Sequence, residues 1–151
     1  MADLNILRGI FSDTTEEYVT PTGATIGDSI NIKLRVVHNS VKKAELVSKD
    51  CRVEMTLSRQ GKNIKGFDYL ECSYTLKEKI LSYYFHITLE DEECIYDFRG
   101  IEKEPKWEFA FRIIPGFTVP DWAKGGVFYQ IYTDRFYNGD KSNDVVSGEY
   151  K

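Results

Sequence analysis

Ile30-Asn31-Ile32-Lys33-Leu34-Arg35-Val36-Val37 decides the fold class. Ile30, Ile32, Leu34 and Val36 fall on one face of an extended chain, and Asn31, Lys33 and Arg35 fall on the other. That period of two is the signature of a strand with one face on a core and one toward water. Working outward, the same texture recurs from residue 6 to residue 112. Strand-like segments run over Ile6–Phe11, Ala44–Val47, Val53–Leu57, Phe67–Leu76, Tyr83–Leu89, Cys94–Phe98 and Trp107–Arg112. Turn-formers separate them: Thr22-Gly23, Gly27-Asp28, His38-Asn39-Ser40, Gly61-Lys62-Asn63 and Arg99-Gly100.

Before residue 120 there is no sustained helical stripe, and Leu76–Leu81 has room for one turn at most. The expected architecture is all-β: an antiparallel, immunoglobulin-like sandwich of eight or nine strands over residues 1–118. Residues 114–126 then carry two prolines and three glycines, which oppose strand continuation. They read as a linker, so residues 119–151 form a second segment.

The totals narrow the function classes. The chain has 151 residues, 42% hydrophobic and 29% charged, which excludes a largely disordered protein. A net charge of -4 with scattered basic residues excludes nucleic acid as the expected partner. No run approaches the ~20 apolar residues that span a bilayer. The N-terminus has neither an apolar core nor a basic leader, and the expected location is the cytoplasm. Cys51, Cys72 and Cys94 are widely spaced and form no Cys-x-x-Cys pair, so zinc is unsupported and reduced thiols are expected.

Ten Tyr and nine Phe are the one compositional excess. Aromatic rings fill strands, and exposed ones also cover the apolar face of a sugar beside groups that bond its hydroxyls. Tyr83 and Tyr84 point to opposite faces, which leaves at least one for solvent. Trp107, Phe109 and Phe111 share a face, expected inward. Asp68, between Phe67 and Tyr69, is either a hydroxyl acceptor or an edge-strand charge. The candidate sugar contacts are Phe67, Asp68, Tyr69 and Tyr84.

Val127 to Tyr132 reads as a buried strand, followed by Asp134-Arg135-Phe136. A strand needs partners, and only seven residues follow Asp144, so the sequence is expected to begin a longer protein. Asp134, next to Arg135, fits an ion pair better than a catalytic role. Asn138, Asp140, Asn143 and Asp144 bring four oxygen-bearing side chains into one tight loop. That suits a hard cation such as calcium, but by spacing alone it suits simple exposed turns better.

Residues 120–144 carry Pro-Asp-Trp before the strand, then Tyr-Gln-Ile-Tyr-Thr-Asp-Arg-Phe, then Asn-Gly-Asp-Lys-Ser-Asn-Asp. This closely resembles the entry to the catalytic barrel of the α-amylase family, glycoside hydrolase family 13, in its neopullulanase, cyclomaltodextrinase and maltogenic amylase branch. Thr133 stands where proline is usual. The layout from Gly9-Ile10-Phe11 through Phe67-Asp68-Tyr69 resembles the N-terminal sandwich of that branch, carbohydrate-binding module family 34. The resemblance implies a glycosidase acting on α-glucosidic bonds in starch, pullulan or maltooligosaccharides. It implies calcium at Asn138, Asp140, Asn143 and Asp144, and as partners an α-glucan, the catalytic domain and a second copy of the chain.

Retaining hydrolysis needs two carboxylates about 5 Å apart on a barrel of roughly 250 residues. In the family these come from later strands, so no catalytic residue is assigned. The sandwich is expected to bind glucan or to pack on the barrel; the alternative is a purely structural or dimerisation sandwich without sugar affinity.

Overall fold

The computed structural model describes residues 3–90, 92–123, 125–127, 129–130, 137–144 and 147. The first segment corrects an expectation. Leu4–Gly9 is a short helix, α1, where Ile6–Phe11 reads as a strand. Asp3 is the reason: its carboxylate accepts the Asn5 N–H at 2.9 Å and caps the first turn. Six residues do not hold a helix alone. Ile6 and Leu7 are half-buried against the core, and Gly9 lies against Val37 and Phe67. The chain turns extended at Ile10, and Phe11 makes a single antiparallel bridge to Arg35.

Ten strands follow among the described residues: β1 Val19–Thr20, β2 Ser29–Val37, β3 Lys43–Ser48, β4 Arg52–Glu54, β5 Thr56–Leu57, β6 Phe67–Thr75, β7 Leu81–Thr88, β8 Glu93–Asp97, β9 Gly100–Glu102 and β10 Phe111–Ile113. One sheet has the order β1-β2-β6-β5 and the other β4-β3-β7-β8-β9, with β10 pairing the start of β7. Every pairing is antiparallel. The longest ladder joins β2 and β6 in unbroken register from Ser29↔Thr75 to Val37↔Phe67.

The alternation of β2 is realised as expected: Ile30, Ile32, Leu34 and Val36 are buried. They share one core with Leu46, Tyr83, Phe85 and Ile87 of the opposite sheet. Each such side chain contributes about 1.5–3 kcal/mol by leaving water. Rings concentrate there, with Tyr83, Phe85, Tyr96 and Phe111 in mutual tilted or edge contacts between 5.5 and 6.2 Å.

The segment Val53–Leu57, expected as one strand, is split between the sheets. β4 pairs with β3, β5 pairs with β6, and buried Met55 marks the crossing. Trp107–Phe109 is also not a strand. It is one 3-10 turn, with Trp107 and Phe109 partly exposed and only Phe111 in the core. Leu76–Leu81 contains no helical turn.

The chain divides into two compact units, Met1–Thr118 and Val119–Lys151. In the second, 3-10 turns cover Asp121–Ala123 and Lys141–Asn143. Of the strand expected from Val127 to Tyr132, Val127 and Tyr129 are exposed. Phe128, Ile131 and Tyr132, with Asp134 and Arg135, lie outside the described residues.

Candidate functional site

Phe67, Asp68 and Tyr69 open β6, and alternation sends Asp68 to one side and the two rings to the other. The rings occupy the outer face of the β1-β2-β6-β5 sheet. Arg35, opposite Tyr69 in register, stands there with its guanidinium 4.7 Å from the Phe67 ring centroid and 5.2 Å from that of Phe11. Phe11 in turn meets Tyr18 edge-on at 5.3 Å. The result is an aromatic–arginine strip in which Arg35 lies over the rings of Phe11 and Phe67.

Asp68 is neither an edge charge nor a free acceptor, which corrects both readings. It is 8% exposed, on a strand with neighbours on both sides in the sheet. Oδ1 accepts from the Asn63 N–H at 2.8 Å and from His38 Nδ1 at 2.9 Å, and Oδ2 accepts from the Asn39 N–H at 3.0 Å. Burial alone would raise this carboxyl. The hydrogen bonds from Asn39, Asn63 and His38 outweigh it and hold Asp68 below the usual aspartate value. Asn39 and Asn63 both have positive φ, 57° and 50°, a conformation asparagine tolerates well. Asp68 therefore ties two turns to one strand.

Tyr84 also departs from expectation. Tyr83 and Tyr84 do point to opposite faces, yet both are buried. Tyr83 is in the core, whereas Tyr84 joins Val47 and Ile95 in a small cluster on the outer face of its sheet. Trp107 caps that cluster, its ring centroid 5.2 Å from that of Tyr84. A 3-10 turn folding back over a sheet face leaves no sign in strand periodicity.

In the second unit, the Asn138 amide donates to the Asp144 carboxylate, the Asp140 N–H donates to Asn138 Oδ1 at 3.2 Å, and Asp140 Oδ1 accepts the Ser142 N–H at 2.9 Å. Hydrogen bonds from the Ser142 side chain and backbone hold the Asp140 carboxyl below its ordinary value. Hard oxygen donors thus gather on one exposed loop, chemically suited to calcium. The side chains of Asn138, Asp140 and Asp144 supply three of these donors, where calcium takes six to eight oxygens.

Sequence reasoning passed over Phe98. As the sixth residue from Glu93 it would point inward by alternation. β8 ends at Asp97, and the turn carries Phe98 out to 78% exposure.

Three comparisons bear on this arrangement. Residues 7–115 match the family described as alpha amylase, N-terminal ig-like domain. Neopullulanase 2 of Thermoactinomyces vulgaris is 28% identical over 156 residues, covering 95% of this chain and 26% of the relative. Amylopullulanase of Thermoanaerobacterium thermosulfurigenes is 28% identical over 149 residues, covering 87% of this chain and 8% of the relative. Among solved structures, a cyclomaltodextrinase aligns with a TM-score of 0.62 at 22% identity, covering 93% of this chain and 26% of that one. The maltogenic amylase from S. marinus aligns at 0.56 and 20% identity, covering 97% of this chain and 20% of that one. At these identities the structural likeness establishes the fold. The chain spans about a quarter or less of the length of these relatives.

Proposed function

The chain belongs to the alpha amylase N-terminal ig-like domain family, and from that premise we propose that it is the non-catalytic N-terminal module of a glycosidase acting on α-glucosidic bonds in starch, pullulan or maltooligosaccharides. Residues 1–118 serve this protein as a glucan-binding sandwich. The observation that carries the reading is the family match over residues 7–115, joined to relatives named neopullulanase and amylopullulanase that extend well beyond this module. Bond cleavage needs a carboxylate pair at fixed separation, and this reading assigns that pair to a barrel rather than to the sandwich.

The loop holding Asn138, Asp140, Asn143 and Asp144 would take a calcium ion together with oxygens from elsewhere in the protein. Bound there, the ion would cross-link the loop and neutralise its two carboxylates.

Native-gel electrophoresis of the 151-residue chain through soluble starch or pullulan tests glucan binding. Migration should slow progressively with polysaccharide content. Unchanged mobility across the series overturns the binding role and leaves a packing or dimerisation module.

A further inference from the structure

We infer that the turn after β8 forms a subsite for one glucosyl ring of an α-glucan, with Phe98 as its stacking platform. The inference rests on the glucan-binding reading and gives it a location. A concavity of about 330 Å³ opens beside Phe98, with Asp13, Thr14, Glu108, Phe109 and Arg112 around it and Ala110 and Phe111 beneath. That volume lies at the small end of ligand pockets, where a single sugar ring fits better than a long chain.

Phe98 is exposed on a fixed stretch of backbone. Asp97, 1% exposed, accepts from the Arg99 N–H at 2.9 Å and from its guanidinium at 3.1 and 2.6 Å. The Phe98 N–H itself donates to the Phe109 carbonyl at 3.0 Å. The backbone on both sides of the residue is therefore anchored, and stacking a ligand on the ring orders only its two side-chain torsions.

Other partly exposed rings of the sandwich already have a partner. Arg99 lies 4.6 Å from the Phe109 centroid, Trp107 packs on Tyr84, and Phe67 and Phe11 share Arg35. Among the described residues, Phe98 has no ring or cation contact, so its faces remain open. Phe117 is also exposed, at 63%, but it does not line this concavity.

The polar groups around the ring select the ligand class. Glu108 and Arg112 lie in no ion pair among the described residues, although Arg112 Nη2 is 3.4 Å from the Glu108 carbonyl. Asp13 uses Oδ1 for Thr15 N and Oγ1, which leaves Oδ2 available. Two carboxylates and one guanidinium give acceptors and donors together without a strong field of either sign. An ion would be opposed by one set and an apolar ligand would leave both unpaired. A pyranose satisfies them: its C–H face lies on Phe98, and its hydroxyls donate to Asp13 and Glu108 and accept from Arg112.

The test is NMR of the isotope-labelled 151-residue chain titrated with maltotriose. Shifts should centre on residues 13–14, 98–99 and 108–112. Phe98→Ala should weaken binding about tenfold or more, Phe98→Trp should retain it, and Phe67→Ala should leave it unchanged. Because the ring is exposed, Phe98→Ala should keep the wild-type dispersion of resonances. Equal binding by wild type and Phe98→Ala, or shifts centred on Phe67, overturns the subsite and leaves glucan binding standing. No shift in wild type at about 10 mM sugar overturns both. A change in sedimentation on Phe98→Ala without any sugar response assigns the ring to a protein contact and also overturns the subsite.

Discussion

His38 Nδ1 lies 2.9 Å from Asp68 Oδ1, and this contact joins the end of β2 to the start of β6. A carboxylate only accepts, so the imidazole donates here, while the Asn39 side-chain amide sits 3.1 Å from its other nitrogen. With the Asn39 and Asn63 N–H groups on the same carboxylate, three residues converge on one buried charge.

Asp68→Asn is expected to destabilise the sandwich by about 1–3 kcal/mol, because it removes a charged acceptor from backbone donors that stay buried. The wild-type carboxyl is held below its ordinary value, so its stabilisation is complete above the ordinary aspartate pKa. It is lost as pH falls through the folded-state value. Urea unfolding from pH 7 down to pH 3 should show that acid loss in wild type and a flatter profile in Asp68→Asn. Identical profiles would remove Asp68 from the account.

Gly9→Ala tests the seat of α1. A methyl there would stand 2.2 Å from Val37 Cγ2 and 3.3 Å from Phe67 Cε1. Alanine favours a helix over glycine by about 1 kcal/mol, but forcing the helix off the sheet costs about 1–3 kcal/mol. The expected net is a lower Tm. A raised Tm would show that α1 shifts freely.

Tyr83→Phe should be neutral or stabilising by about 1 kcal/mol. The Tyr83 hydroxyl is buried with no hydrogen-bond partner among the described residues, and burial pushes its pKa far up. The urea midpoint reads this directly, with an unchanged m value as the sign that only stability moved. A lower midpoint would mean that the hydroxyl is satisfied.

The three thiols should separate kinetically. Cys51 is exposed, whereas Cys72 and Cys94 are buried, and burial raises their pKa values to about 12 and about 11. Only a thiolate attacks a disulfide reagent. One thiol should react promptly with such a reagent in the native protein and all three in denaturant. Two fast thiols would contradict the burial.

Legibility tracked the range of the forces involved. The core face of β2 was readable because alternation is a property of neighbouring residues. The helix at Leu4–Gly9 was not, because Leu4, Ile6 and Ile10 alternate as a strand would while Ile6, Leu7 and Ile10 fit a helical face, and the Asp3 cap decides between them. Among the candidate sugar contacts, the side of the strand was readable for Phe67, Asp68 and Tyr69. That Arg35 covers Phe67 and that Asp68 holds the His38–Asn39 turn depended on residues some thirty positions away in sequence.

By itself the sequence determined an antiparallel all-β sandwich, its likeness to the N-terminal domain of α-amylase-family enzymes, and which side chains of β2 alternate inward. Those properties follow from local periodicity and ordered motifs. Only the tertiary structure decided which rings meet water. Tyr84 lies under Trp107 because a 3-10 turn returns across the sheet, and Phe98 stands exposed because β8 stops one residue before it. Exposure depends on what covers a face, and what covers these faces comes from distant parts of the chain.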